Sequence, residues 1–255
     1  ECFYRLTISR APYLDYIFPP AGLPGSSNTY SLFGRNLPGG KPVVGQTVFG
    51  RTLETLQVTI PLPLERERDL VREGGRLVEP SESFLDGVTY RLKSPDGLSN
   101  PLLLNMAGAP VTLEEEPNND PAKSPLLKLP CEYVGQFYPR GDRDWVSFQA
   151  KKDDVLMLEV FSQRLGSPTD PRMIVQQMKQ SAEGKTELVD LATIDDDLGN
   201  MDRVHWSMLD SVLYSTQTHD PSYRFVAPED GTYRVMIQDL SRPTQDLART
   251  SQGDA

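Results

Sequence analysis

Cysteine, histidine and net positive charge are all scarce in this chain of 255 residues. Its two cysteines, Cys2 and Cys131, are too few for a disulfide framework and are not spaced as a metal site. They read as one disulfide or as two buried thiols, and the sequence leaves both open. The two histidines, His205 and His219, lack zinc-ligand spacing and read as structural or surface residues. Against 36 Asp and Glu stand only 26 Lys and Arg, a formal net charge of −10. The cationic footprint that a phosphate backbone requires is therefore missing, and no nucleic-acid partner is expected. No apolar run approaches the ~20 residues of a membrane span. Phosphate loop, dinucleotide fingerprint and Gly-x-Ser-x-Gly elbow are all wanting, so no enzyme is expected. An initiator Met and a signal peptide are also missing. The chain opens on Glu1-Cys2-Phe3 inside a strand-like run and reads as a piece of something longer.

What is present is punctuation. The 22 prolines and 19 glycines are spread along the whole chain, which disfavours long helices and suits short strands joined by irregular turns. Strand-like alternation occurs at 3–9, 13–18, 29–34, 53–60, 90–92 and 102–106. It resumes at 131–137, 144–150, 155–161, 173–178, 223–226 and 232–238. Residues 65–73 mix both charge signs with little apolar stripe, and read as an exposed loop or one short helix. The acidic, proline-bearing run 114–121 marks a boundary. The pattern predicts an all-β chain of two β-sandwich domains in series, 11–110 and 122–255, joined by a linker at 111–121. Residues 1–10 are set apart as a strand of a preceding or neighbouring domain. One tripeptide recurs: Tyr4-Arg5-Leu6, Tyr90-Arg91-Leu92, Tyr223-Arg224-Phe225 and Tyr233-Arg234-Val235. Alternation places its Tyr and apolar residue on one face and its Arg on the other.

Several of these runs occur in a specific order. Glu115-Glu116-Pro117-Asn118-Asn119 is followed by Gly135-Gln136-Phe137, then by the run from Asp142 through Asp144-Trp145 to Phe148. Asp220-Pro221-Ser222-Tyr223-Arg224-Phe225 and the run from Pro228 through Asp230-Gly231 to Val235 complete the series. Residues 114–240 thereby resemble the bacterial pre-peptidase C-terminal domain, a β-sandwich module of secreted proteins. The resemblance implies an extracellular or cell-surface location, and packing of Trp145 and Phe148 in the core. More weakly, Ala11-Pro12, Phe18-Pro19-Pro20-Ala21-Gly22 and Phe33-Gly34-Arg35-Asn36-Leu37 resemble an immunoglobulin-like domain of the transcription-factor-associated type.

In the pre-peptidase-like family a further Tyr-Arg-Leu strand follows the Tyr-Arg-Val strand, whereas here a run of that type stands at the other end: Phe3, Tyr4, Arg5, Leu6, Thr7 and Ile8. Two explanations are open. The run closes a preceding domain of a tandem array, or it completes the sandwich of a neighbouring copy by donor-strand complementation. The second predicts head-to-tail assembly and an intermolecular Cys2–Cys131 disulfide.

Other constellations are weaker. Asp195, Asp197, Asn200 and Asp202 offer oxygens to calcium, although Gly199 stands at the wrong offset for an EF-hand and a solvated loop is the simpler reading. No other cofactor is expected. Asp142 and Asp144 read as turn formers rather than metal ligands, and Arg140-Gly141-Asp142 as a chance adhesion tripeptide. Tyr13, Tyr16, Tyr30 and Tyr138 are candidates for a carbohydrate-stacking face, with core packing as the alternative. The expected function is a non-catalytic structural or adhesive segment outside the cell, with copies of itself as partner. Its rival is an accessory module that binds extracellular glycan or matrix for a secreted enzyme.

Overall fold

The computed structural model describes residues 6, 8–48, 50–64, 85–139, 141–180, 186–197 and 216–241. The helix-like stretch 65–73, most of the run 3–8, Cys2, Arg140, Asn200, Asp202 and His205 lie outside the described residues. Within them the chain is nearly all β, as the density of proline and of period-two runs requires.

Strands β1 (Tyr13–Phe18), β2 (Ala21–Gly22), β3 (Ser27–Arg35), β4 (Lys41–Val48) and β5 (Arg51–Pro61) come first. β6 (Gly87–Tyr90), β7 (Lys93–Ser94), β8 (Gly97–Leu98) and β9 (Leu102–Met106) follow. A four-stranded sheet in the order β1-β3-β5-β4 and a three-stranded sheet in the order β2-β9-β6 enclose one hydrophobic cluster. Leu14, Tyr30, Leu32 and Leu104 are its most deeply buried members. β4 is not among the strand-like runs, since Pro42 and Gly45 interrupt its alternation. The strand tolerates both because it lies at the sheet edge. Its register with β5 shifts between Pro42 and Thr47, and Gly45 takes a positive φ of 77° within that irregularity.

Then come β10 (Val111–Leu113), β11 (Glu132–Val134), β12 (Asp144–Ala150), β13 (Val155–Glu159), β14 (Pro171–Gln180), β15 (Thr186–Ile194), β16 (Ser222–Val226) and β17 (Gly231–Asp239). β10 lies inside the stretch read as a linker, and it pairs in parallel with β11. A second cluster, sharing no residue with the first, lies between a four-stranded sheet in the order β12-β17-β14-β15 and the two-stranded sheet β13-β16. β15 is the longest strand outside the strand-like runs; it pairs with β14 along its length, with one irregularity at Val175/Gln176.

Alternation decides which side chains enter this second cluster. Val146, Phe148 and Ala150 of β12 point inward, so Trp145 falls on the opposite face and not in the core, as had been expected. There Trp145 lies under the Arg234 guanidinium, 4.6 Å from its ring centroid. Phe148, Phe225 and Tyr233 form an aromatic trio with centroid separations of 4.9–5.8 Å. The Tyr-Arg-apolar habit holds at Tyr233-Arg234-Val235, with Tyr233 and Val235 in the core. Arg234 on the other face is also buried, donating to the Pro121 carbonyl and to Gln176. The Tyr233 hydroxyl donates to the Glu229 carbonyl at 2.5 Å. Tyr233→Phe is expected to cost about 1 kcal/mol in urea unfolding, the usual net worth of one hydrogen bond with the ring packing kept.

Candidate metal centre

Three short segments bring oxygen ligands together at one edge of the second cluster. The chain after β10 carries Glu114, Glu116 and Asn118 at alternate positions, and a bend at Glu116 brings them together. The turn before β12 carries Asp142, and Asp144 opens that strand, again two residues apart. Tyr133 stands on β11 beside them. One carboxylate oxygen from each of Glu114, Glu116, Asp142 and Asp144 lies within 4.8 Å of the others.

Backbone amides fix three of the four acids in place. Glu114 accepts from the Gln136 amide at 2.8 Å, and Glu116 from the Asn118 amide at 2.9 Å. Asp142 accepts from the amides of Tyr138 at 3.1 Å and Arg143 at 3.0 Å. Glu114 fits only because residue 135 has no side chain: a Cβ on Gly135 would stand 2.8–2.9 Å from its carboxylate. Asn119 helps close the site by accepting from the Arg143 amide at 2.9 Å.

Asn118 lies at the centre, 1% exposed. Its amide nitrogen donates to Glu114 at 2.7 Å, to Asp144 at 3.0 Å and more weakly to the Tyr133 hydroxyl at 3.3 Å. Its carbonyl oxygen has no hydrogen-bond partner, a costly condition for a buried acceptor. Half a turn of the amide would exchange the two groups and aim that oxygen at the carboxylates. Only a cation there would make such a turn favourable.

Asp144 is buried, and its pKa is pushed up to about 8. Burial is the largest cause; the carboxyl of Glu114, which shares a proton with it and repels it when ionised, comes next, and Asp142 adds repulsion. The four carboxylates, joined by the Asn118 carbonyl once its amide is turned, make a hard, all-oxygen donor set that suits Ca²⁺ far better than a softer transition metal.

The sequence-predicted residues are distributed differently. Asp142 and Asp144, read as turn formers, belong to this cluster. The Asp142 carboxylate is buried and occupied, so the Arg-Gly-Asp tripeptide does not present its acid to solvent. Asp195 and Asp197 are some distance along the chain from it; Asp197 pairs through its backbone with Thr218, and Asn200 and Asp202 are outside the described residues. Cys131 is half-buried and free, and Cys2, with which a disulfide was expected as one alternative, is outside the described residues. Burial and then Glu132 push the Cys131 thiol up, which leaves less reactive thiolate. Of the tyrosines offered for carbohydrate stacking, Tyr30 is a core residue at 1% exposure. Tyr16 stacks on Phe33 at 4.4 Å, Tyr13 lies against Arg35, and Tyr138 is exposed.

The paired alternation Glu114-x-Glu116-x-Asn118 and Asp142-x-Asp144 was the signal that sequence reasoning passed over, because each half alone looks like linker or turn chemistry. Compared with known proteins, the chain matches no family model, and no curated protein matches it.

Proposed function

We propose that this chain is a non-catalytic structural segment of an extracellular or cell-surface protein, joined head to tail with further copies by strand addition. One observation carries this reading: the second cluster is closed on one side by only two strands. Phe225 of that pair is 1% exposed, whereas Leu156, Leu158 and Tyr223 beside it are only partly buried. Among the described residues β13 and β16 pair only with each other, so within them that sheet has two open edges. The outward residues Val155, Met157 and Val226 add exposed apolar surface.

A donor of matching character stands near the start of the chain. Leu6 and Ile8 are 74% and 89% exposed, so neither is packed on its own molecule. They are two residues apart and would face the same way in a strand, as an added strand must to fill the uncovered strip. The likeness of residues 114–240 to pre-peptidase C-terminal modules supports the extracellular setting. The cation cluster fits the same role by stiffening the segment that leads into this sandwich.

Sedimentation of the full chain tests the proposal. The unaltered protein is expected to form concentration-dependent chains, seen as filaments by electron microscopy, and Leu6→Asp with Ile8→Asp to leave monomers of unchanged thermal stability. An identical mass distribution for both proteins removes the strand-addition reading. On non-reducing gels, the accompanying Cys2–Cys131 link predicts a ladder that collapses with reductant and is lost in Cys131→Ser.

A further inference from the structure

The second cluster carries another group of ligating side chains away from the oxygen cage, at the ends of β14, β15 and β16. Asp170 immediately precedes β14, Asp196 follows β15, and His219 leads into β16. The three offer one atom each, all within 4.8 Å of one another. The ring Nδ1 of His219 lies 2.9 Å from Asp196 Oδ1 and 3.6 Å from Asp170 Oδ1.

Backbone hydrogen bonds hold Asp170 and His219 themselves and the neighbour of Asp196, so the group is a prepared frame rather than three loose side chains. The Asp170 amide donates to Asp239 at 2.9 Å, and its carbonyl accepts from the Leu240 amide at 2.7 Å. Beside Asp196, Asp197 exchanges two backbone hydrogen bonds with Thr218 at 2.9 and 3.0 Å. The Thr218 hydroxyl and the His219 amide both donate to Gln163, and the next residue, Asp220, is fully buried. Such support gives a ligand set the precision that binding a small ion demands.

One ring nitrogen facing two carboxylates is more than a hydrogen bond requires. A proton on Nδ1 serves Asp196 and leaves Asp170 beyond hydrogen-bonding distance. Asp195, Asp196 and Asp239 all add negative charge around Asp170, which His219 opposes. A divalent ion bound tetrahedrally at about 2.0–2.2 Å from each ligand would hold its ligand atoms roughly 3.4 Å apart. The observed 2.9 and 3.6 Å bracket that separation.

We propose that Asp170, Asp196 and His219 form a surface site for a zinc-like divalent transition metal, chemically distinct from the oxygen cage. Imidazole nitrogen suits zinc and its neighbours, whereas calcium and magnesium favour oxygen. Three protein ligands leave a further position to water. Binding requires neutral imidazole, so the ion displaces the proton that Nδ1 carries in its ion pair.

The chain's two histidines make the test direct. His205→Asn leaves His219 as the only imidazole, and its ring C–H resonances are followed by NMR in saturating calcium at about pH 7.5. Zinc chloride at one equivalent is expected to shift these resonances and to abolish their titration near neutrality. Asp170→Asn with Asp196→Asn is expected to weaken binding by at least about ten-fold. The proposal is overturned if zinc leaves the ring resonances unmoved, which would make the group a proton-bridged ion pair only. Equal zinc affinity in the doubly substituted protein also overturns it, as does displacement of zinc by the calcium present.

Discussion

Asp220→Ala is expected to destabilise the fold around the second cluster by about 3–5 kcal/mol, the cost of stripping a buried ion pair and three buried amides of their acceptor. The Asp220 carboxylate is fully buried. It accepts from the backbone amides of Ser162, Gln163 and Arg164 at 3.1, 2.7 and 3.0 Å, and from the Arg164 Nε at 3.0 Å. Arg164 is itself only 8% exposed, and its other nitrogens go to Glu159 and to the Val160 carbonyl. Its guanidinium also covers the Phe161 ring at 4.3 Å. A single acid thus folds the loop after β13 against the start of β16. Alanine removes the acceptor for three amides and one guanidinium N–H together. Asp220→Asn keeps the shape but loses the charge, and a smaller loss is expected. Urea unfolding of both variants, with Arg164→Gln as the companion in a double-mutant cycle, measures the coupling. A loss under about 1 kcal/mol for the alanine variant would show that this carboxylate does not organise the loop.

Calcium is expected to stabilise the chain by about 3–4 kcal/mol at a hundred- to thousand-fold excess over its dissociation constant, relative to chelator. That corresponds to a rise in melting temperature on the order of 10 °C. The pH dependence in chelator carries the sign of the mechanism. The folded pKa of Asp144 is about 8, above its ordinary 3.8. Between those values the native ion-free protein holds a proton that the unfolded chain has lost. Stability from this group is therefore complete below the lower value and is lost as the pH rises through about 8. Calcium replaces the proton, so its stabilisation grows over the same interval, and binding near neutrality releases protons that calorimetry in buffers of different ionisation enthalpy will count. Asp144→Asn separates the two effects. It should raise ion-free stability at alkaline pH, by removing a repelled charge, and at the same time abolish most of the calcium response. Gly135→Ala should also weaken calcium binding, because its Cβ displaces Glu114. Melting curves unaffected by calcium in the unaltered chain would exclude the oxygen cage as a metal centre.

Much of the fold was legible because its signals are local. Proline and glycine spacing ruled out long helices, and period-two runs located β1, β3, β5, β9, β12, β13, β14, β16 and β17 to within a few residues. β4 and β15 escaped notice for different reasons. β4 breaks its own alternation at Pro42 and Gly45, which only an edge position with an irregular register accommodates. β15 lies at the other sheet's edge, where Leu188 and Val189 are exposed and no clean apolar face is required. Trp145 was misplaced because a large aromatic residue suggests a core, whereas strand phase assigns the inward positions to its neighbours Val146 and Phe148.

The sequence by itself determined the all-β class, the inward phase of strands such as Tyr233–Val235, and the want of a basic surface, since alternation and charge are properties of neighbouring residues. Only the tertiary structure decided which acids meet. Asn118 and Asp144 are 26 residues apart and come within 3.0 Å because β10 pairs in parallel with β11 and because the turn before β12 closes onto the same edge. Asp170 and His219 likewise meet only once β14 and β16 are in place. Long-range pairing leaves no periodic trace in the residues it joins, so a linker and a turn in the sequence become, in the folded chain, the two halves of one site.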